Sequence, residues 1–86
     1  MNHEAIEKVI LAMATVRGAD KTICPSEVAR AMFGENWRSE MQTVRDAAFD
    51  LSAKKQVIIL QKGKKVGLAN LKGPIRIQIN TSTENN

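Results

Sequence analysis

The sequence predicts an α+β domain, because segments with helical spacing of apolar residues are followed by a lysine-rich hairpin and an alternating strand. The 86 residues suffice for one hydrophobic core, so we assign residues 1–80 to a single domain and residues 81–86 to a disordered tail. No apolar run approaches the roughly 18 residues that span a bilayer. The single cysteine, Cys24, cannot form an internal disulfide, so we expect a cytoplasmic protein.

Two helices are predicted in the first part of the chain. Helix 1 is expected over about residues 4–17, because apolar residues recur at helical spacing until Gly18. Helix 2 is expected over residues 25–33, with Pro25 at the first helical position and Gly34 after the end. The connector between them has room for a short extended piece at Thr22 and Ile23. The predicted apolar side of helix 1 holds Ile6, Val9, Ile10, Met13 and Val16.

A longer third helix is predicted over about residues 37–54, with Asn36 as its N-cap. At 100° per residue, its apolar side chains fall within one sector of about 80°, which would face the core. That sector holds Trp37, Met41, Val44, Ala48 and Leu51.

The last part of the chain is predicted to form strands. The β-branched run 57–60 and residues 65–69 flank a Lys62-Gly63 turn, which indicates a hairpin. Residues 75–80 then alternate strictly, with isoleucines on one side and polar residues on the other. Three helices with a tight turn before the third, followed by a basic hairpin, is the order of a winged-helix domain. In this interpretation residues 61–65 belong to the wing.

Four short motifs occur in an order typical of a known family. The chain contains T-I-C-P-S-E-V-A-R at 22–30, W-R-x-x-M-x-x-V-R-x-A-A at 37–48, Q-K-G-K at 61–64 and K-G-P-I-R-I at 72–77. In these motifs the sequence resembles a small bacterial family of domains of unknown function. The resemblance implies a winged-helix-like fold and no established activity.

Two positions depart from the pattern of that family. Lys55 stands where the family usually has the glycine that ends helix 3, and Gly67-Leu68 stands where it has Asp-Pro. A lysine after the helix must either accept a positive φ, at a cost of about 1 kcal/mol, or end the helix differently.

Charge is divided unevenly along the chain, and this division suggests an anionic partner. The net charge is +4, yet residues 1–53 hold six Lys/Arg against eight Asp/Glu, whereas residues 54–86 hold seven against one. We therefore predict weak duplex nucleic-acid binding, with a regulatory role, through the wing and the start of helix 3. The candidate contact residues are Arg38, Gln42, Arg45, Lys54, Lys55, Lys62, Lys64 and Lys65.

A structural explanation exists for each of these residues. The arginines could pair with carboxylates such as Glu27 or Glu35, in ion pairs worth little at the surface. The wing lysines could serve only to discourage pairing between strand edges. The alternative function is therefore a protein-protein interaction module of the same fold that binds no nucleic acid. Its contacts would be Phe49, Asp46, Asp50 or the edge of the last strand.

Catalysis finds little support in the sequence. The only histidine, His3, lies near the terminus, and no second residue suggests a metal pair or a Cys-His couple. Cys24 is better explained as a partly buried residue at a helix start than as a reactive thiol. We expect no enzyme, no cofactor, no metal site, no small-molecule substrate and no membrane contact.

Overall fold

A computed structural model describes residues 3–65 and 73–81, and it confirms the predicted α+β class. The predicted tail, apart from residue 81, lies outside the described residues, as do residues 66–72. None of the described helices is both long and apolar enough to cross a membrane. The helical elements are α1 (His3–Arg17), α2 (Pro25–Phe33), a 3-10 helix (Gly34–Glu40) and α3 (Met41–Ala53).

The prediction of one continuous helix from residue 37 is wrong, because α3 begins at Met41. The preceding seven residues form the 3-10 helix instead, and Asn36 lies inside it rather than at an N-cap. Gly34 adopts φ 57° and ψ −127°, a conformation essentially open only to glycine, and its N–H is bonded to the carbonyl of Arg30. The chain therefore turns sharply as it leaves α2, and this turn sets where Trp37 lies.

The predicted apolar side of α1 is confirmed except at Val16, since Val9 and Met13 also pack against the core. Ile6, Ile10 and Ala14 are buried at intervals of four residues. Val16 is 87% exposed, so its predicted place in the core is wrong. It follows Ala14 by two residues, which is about 200° around the helix axis.

The strands are β1 (Val57–Gln61), β2 (Lys64–Lys65) and β3 (Arg76–Ile79), in the antiparallel order β2-β1-β3. The predicted turn is confirmed: Lys62 (φ 54°) and Gly63 (φ 81°) join β1 to β2. Two consecutive positive φ angles are those of a type I′ turn, whose twist matches a two-residue hairpin. The second strand was predicted to reach residue 69, and residues 66–69 lie outside the described residues.

The final strand lies beside β1 and buries the predicted isoleucine side. Ile59 pairs with Ile77, and the side chains of Ile75 and Ile77 are buried. Ile77 exchanges both of its backbone hydrogen bonds with Ile23, each at 2.8 Å. The connector between α1 and α2 thus occupies the outer edge of β3 at this position, as the short extended piece predicted at Ile23 allows.

One core joins the helices to the sheet. It consists only of apolar side chains among the described residues, so no polar group needs a partner there. The core residues of the helices are Ile6, Ile10, Ala14, Val28, Ala29, Val44, Ala47, Ala48 and Leu51, and those of the connector and strands are Ile23, Val57, Ile59, Ile75 and Ile77.

Candidate nucleic-acid interface

Arg45 connects α3 to the segment that enters β3. Its Nη1 donates a hydrogen bond to the carbonyl of Gly73 at 2.9 Å, and its guanidinium lies 5.6 Å from the centre of the Phe49 ring. Met41 and Arg45 of α3 also line a cleft with Pro74. The first turns of α3 therefore lie next to the chain that leaves the hairpin region, although the two segments are far apart in sequence.

The hairpin tip, residues 61–65, presents exposed lysines. The side chains of Lys62 and Lys64 are exposed, and neither forms an ion pair with a carboxylate of the described residues. Lys62 also lines a shallow cleft with Gly73 and Arg76. The predicted site residue Lys65 lies in β2, and its side chain is outside the description. The cations at this tip are available to an anion from solvent.

Two other predicted site residues are engaged within the protein. Gln42 donates from Nε2 to Oδ1 of Asp46 at 2.9 Å. Lys54 places Nζ 3.2 Å from Oε1 of Glu7 on α1, where the carboxylate offsets its charge. The charge of Lys54 is therefore offset within the protein, and one amide hydrogen of Gln42 is already donated to Asp46.

Of the two possibilities that the sequence left open at Lys55, the structure has the positive φ. With φ 65°, it follows the C-cap residue Lys54. Its N–H is bonded to the carbonyl of Ser52, and the N–H of Gln56 is bonded to that of Leu51, both at 2.9 Å. These two bonds define a Schellman motif, in which glycine is the usual residue at the position of Lys55. The Lys55 side chain is exposed to solvent, and its backbone has a conformation that is unfavourable for a residue other than glycine.

Arg38 lies in the 3-10 helix and forms part of a cluster that the sequence did not reveal. The guanidinium carbon of Arg38 lies 4.6 Å from the centre of the Trp37 ring, and that of Arg30 lies 4.4 Å from the same centre. Trp37 is itself half-buried and packs against the core, as its place in the apolar sector predicts. Sequence analysis did not identify Arg30, because Trp37 comes close to it only through the turn at Gly34. The glycine between Arg30 and Trp37 was the one sign in the sequence that the chain could fold back there.

Glu27, suggested from the sequence as a partner for Arg38 or Arg45, is paired with another arginine. Arg17 donates hydrogen bonds to the carboxylate of Glu27 and to the carbonyl of Thr22, the latter at 2.7 Å. The other oxygen of Glu27 accepts the N–H of Cys24 at 3.0 Å, as in a capping box. Arg38 and Arg45 have no ion pair with any described carboxylate, Glu35 included.

The pKa of Glu27 reflects these contacts. Partial burial alone would raise it, but the hydrogen bonds from Arg17 and Cys24, with the charge of Arg17, outweigh that effect, so the pKa lies below its ordinary value. Glu27 is thus ionised in the folded protein and belongs to the structural frame rather than to an anion-binding surface.

His3 is not isolated, contrary to the expectation from the sequence. Its Nε2 lies 2.8 Å from Oδ2 of Asp50 and 3.7 Å from Oε2 of Glu7. These three side chains offer ligand atoms within 4.8 Å of one another and are the group among the described residues that could hold a metal ion. The ammonium of Lys54 already lies on Glu7, and His3 is 40% exposed. We therefore interpret this group as a polar contact between α1 and α3.

The surfaces predicted for a protein partner also have internal contacts. Phe49 is half-buried against the core beneath Arg45, Asp46 accepts the bond from Gln42, and Asp50 faces His3. The edge of β3 is occupied by Ile23 at Ile77, and Gln78 donates to the carbonyl of Ala19 at 2.7 Å.

The fold and the site together define a small α+β domain in which Lys62 and Lys64 at the hairpin tip, Arg45 on α3, and Arg30 and Arg38 at the corner before α3 have no carboxylate partner among the described residues. The chain belongs to the family described as "Protein of unknown function (DUF3253)", whose family model matches residues 3–80. This agrees with the resemblance found in the sequence motifs. No curated protein matches the chain.

Proposed function

We propose that this chain is a cytoplasmic winged-helix domain that binds duplex nucleic acid weakly. The order of the described elements supports the fold assignment: α1, a bridging residue at Ile23, α2, α3, and then the antiparallel strands β1, β2 and β3. In this assignment residues 61–65 belong to the wing, and α3 is the recognition helix.

The contact from Arg45 to Gly73 is the observation that supports this function best. A winged-helix domain needs its recognition helix and its wing to face the same duplex, and this hydrogen bond joins the segment after the hairpin to the first turns of α3. Lys62 and Lys64 then extend from the same region without carboxylate partners among the described residues. Each phosphate that such a lysine neutralises releases condensed counterions, which favours binding without reading sequence.

The acidic residues of α3 limit how this helix can approach the duplex. Asp46 and Asp50 are exposed on α3, where carboxylates repel phosphate. The contact is therefore confined to the 3-10 helix, the first turns of α3 and the wing. A lone domain with so small an interface binds weakly, and specific recognition would require a second copy or a second domain.

An amide NMR titration with a generic duplex of about 15 base pairs tests the proposal, first at about 50 mM and then at about 200 mM salt. We expect shifts at residues 37–43 and 61–65 that fade at the higher salt, because phosphate contacts weaken steeply with salt. An absence of shifts at low salt would overturn the proposal and leave the protein-interaction module as the better explanation.

Two double variants distinguish binding through the wing lysines from attraction by the net charge of the protein. Lys62→Ala/Lys64→Ala and Lys8→Ala/Lys21→Ala remove the same charge from exposed sites. Only the first pair should weaken binding and lower the slope of log affinity against log salt, by about 1 for each phosphate that is no longer neutralised. An equal weakening in both pairs would mean that the protein attracts DNA only through its overall charge.

A further inference from the structure

Two arginines share one tryptophan at the corner between α2 and α3. The guanidinium carbons of Arg30 and Arg38 lie 4.4 and 4.6 Å from the centre of the Trp37 ring. Their charges are therefore within about 9 Å of each other, less than the Debye length of about 10 Å at 0.1 M salt. An anion at this corner interacts with both charges.

The protein leaves these two charges without a carboxylate partner among the described residues. The ion pairs of the described residues involve other side chains. Glu35 and Glu40 lie in the same 3-10 helix as Arg38 but pair with neither arginine. The face of the indole attracts each cation, and this attraction offsets their mutual repulsion. A bound anion would remove that repulsion.

The chemistry of the pair fits a phosphate of a nucleic-acid backbone. A guanidinium presents a planar fork that binds phosphate through two hydrogen bonds, and stacking on Trp37 reduces the rotamer freedom that binding would otherwise remove. Arg30 is in the last turn of α2, and Arg38 precedes α3. In helix-turn-helix proteins the helix before the recognition helix crosses the backbone of the duplex.

We infer that Arg30 and Arg38, held on Trp37, form a clamp for a backbone phosphate of duplex nucleic acid. The inference rests on the proposed function and adds Arg30 and Trp37 to its contact surface. The clamp orients the domain on the duplex and does not read sequence, because phosphate is the same at every base pair. Trp37 supports the arginines and is not a platform for a base, because guanidiniums already lie over its ring.

A titration of a labelled duplex, followed by fluorescence anisotropy across a series of salt concentrations, tests the clamp. Arg30→Ala/Arg38→Ala should bind more weakly than wild type and lower the salt slope by about 1 for each arginine that binds phosphate. Lys8→Ala/Lys21→Ala removes the same charge and should keep the wild-type slope. Trp37 is the only tryptophan, so its emission should change with duplex in the wild type.

The outcomes separate the clamp from the proposed function. If Arg30→Ala/Arg38→Ala keeps the wild-type affinity and slope while Lys62→Ala/Lys64→Ala does not, the clamp is refuted and the wing remains. If the wild type binds no duplex even at low salt, both ideas fail. Arg30→Lys/Arg38→Lys serves if the alanine variant does not fold: it should keep the slope but bind more weakly, because an ammonium lacks the planar fork. If this lysine variant has the affinity and the Trp37 emission of the wild type, the clamp is refuted.

Discussion

The arginines at the two ends of α2 have different kinds of partner. At the first end, Arg17 is bonded to Glu27, which also caps the backbone at Cys24, so the charges satisfy one another. At the second end, Arg30 and Arg38 lie on Trp37 without a described carboxylate partner. The charges at the first end are satisfied within the protein, whereas those at the second are the ones that we propose for phosphate binding. Substitutions at the two ends should therefore separate stability from binding.

Gly34→Ala should have the largest effect, because it disrupts the turn that creates the second end. An added Cβ would meet no atom within 4 Å, so the penalty comes from the backbone at φ 57° and ψ −127°. Strain of this kind costs about 1–3 kcal/mol. Urea denaturation should show the reduced stability, and Trp37 emission should change because the ring moves relative to Arg30.

Gly63→Ala is the matched control for that experiment. Gly63 also has a positive φ, 81°, and open space around its Cα, but it lies at the hairpin tip. The Gly63→Ala variant should be less stable than the wild type but should have the same Trp37 emission. The same emission change in both variants would contradict the link between Gly34 and the arginine cluster.

Lys55→Gly should show that a charged residue is kept at a cost to stability. Glycine adopts the positive φ of 65° without strain, but it also loses more conformational freedom on folding. The net gain in unfolding free energy should be about 0.5–1 kcal/mol. Lys55→Ala removes the same charge but keeps the strain, so it should not stabilise the protein. Both variants should bind duplex equally, because each removes the same ammonium. A thermal stability gain in the alanine variant would show that charge repulsion, not backbone strain, is relieved.

Glu27→Gln should have the smallest effect and should leave duplex binding unchanged. The ion pair with Arg17 is partly exposed, so we expect a decrease of about 0.5 kcal/mol in stability at neutral pH. Because the pKa of Glu27 is lowered from 4.5, its carboxylate stabilises the fold above that pH, and this contribution disappears as the pH falls through the lowered value.

The difference in unfolding free energy between wild type and Glu27→Gln should therefore shrink on acidification. Asp20→Asn, at an exposed position with no ion pair in the described residues, is the control and should show no such trend. A difference that stays constant down to acidic pH would mean that Glu27 acts only as a hydrogen-bond acceptor.

Much of the local backbone structure of this protein follows from short stretches of its sequence. The end of α2 at Gly34 and the turn at Lys62-Gly63 depend on the conformations of a few neighbouring residues, so the sequence alone predicts them. At Lys55 the sequence left two possibilities, and the structure has the positive φ. The isoleucine side of β3 follows in the same way from the alternation of a strand.

Only the tertiary structure decided which charges meet. The pairing of Arg17 with Glu27, of Lys54 with Glu7 and of His3 with Asp50 joins different helices, and no local spacing reveals it. The 3-10 helix that replaces the start of the predicted third helix likewise results from the turn at Gly34 and packing against α2. Helical periodicity identifies the side of a helix that is buried, whereas the partner of each surface charge depends on how the helices are arranged around the core.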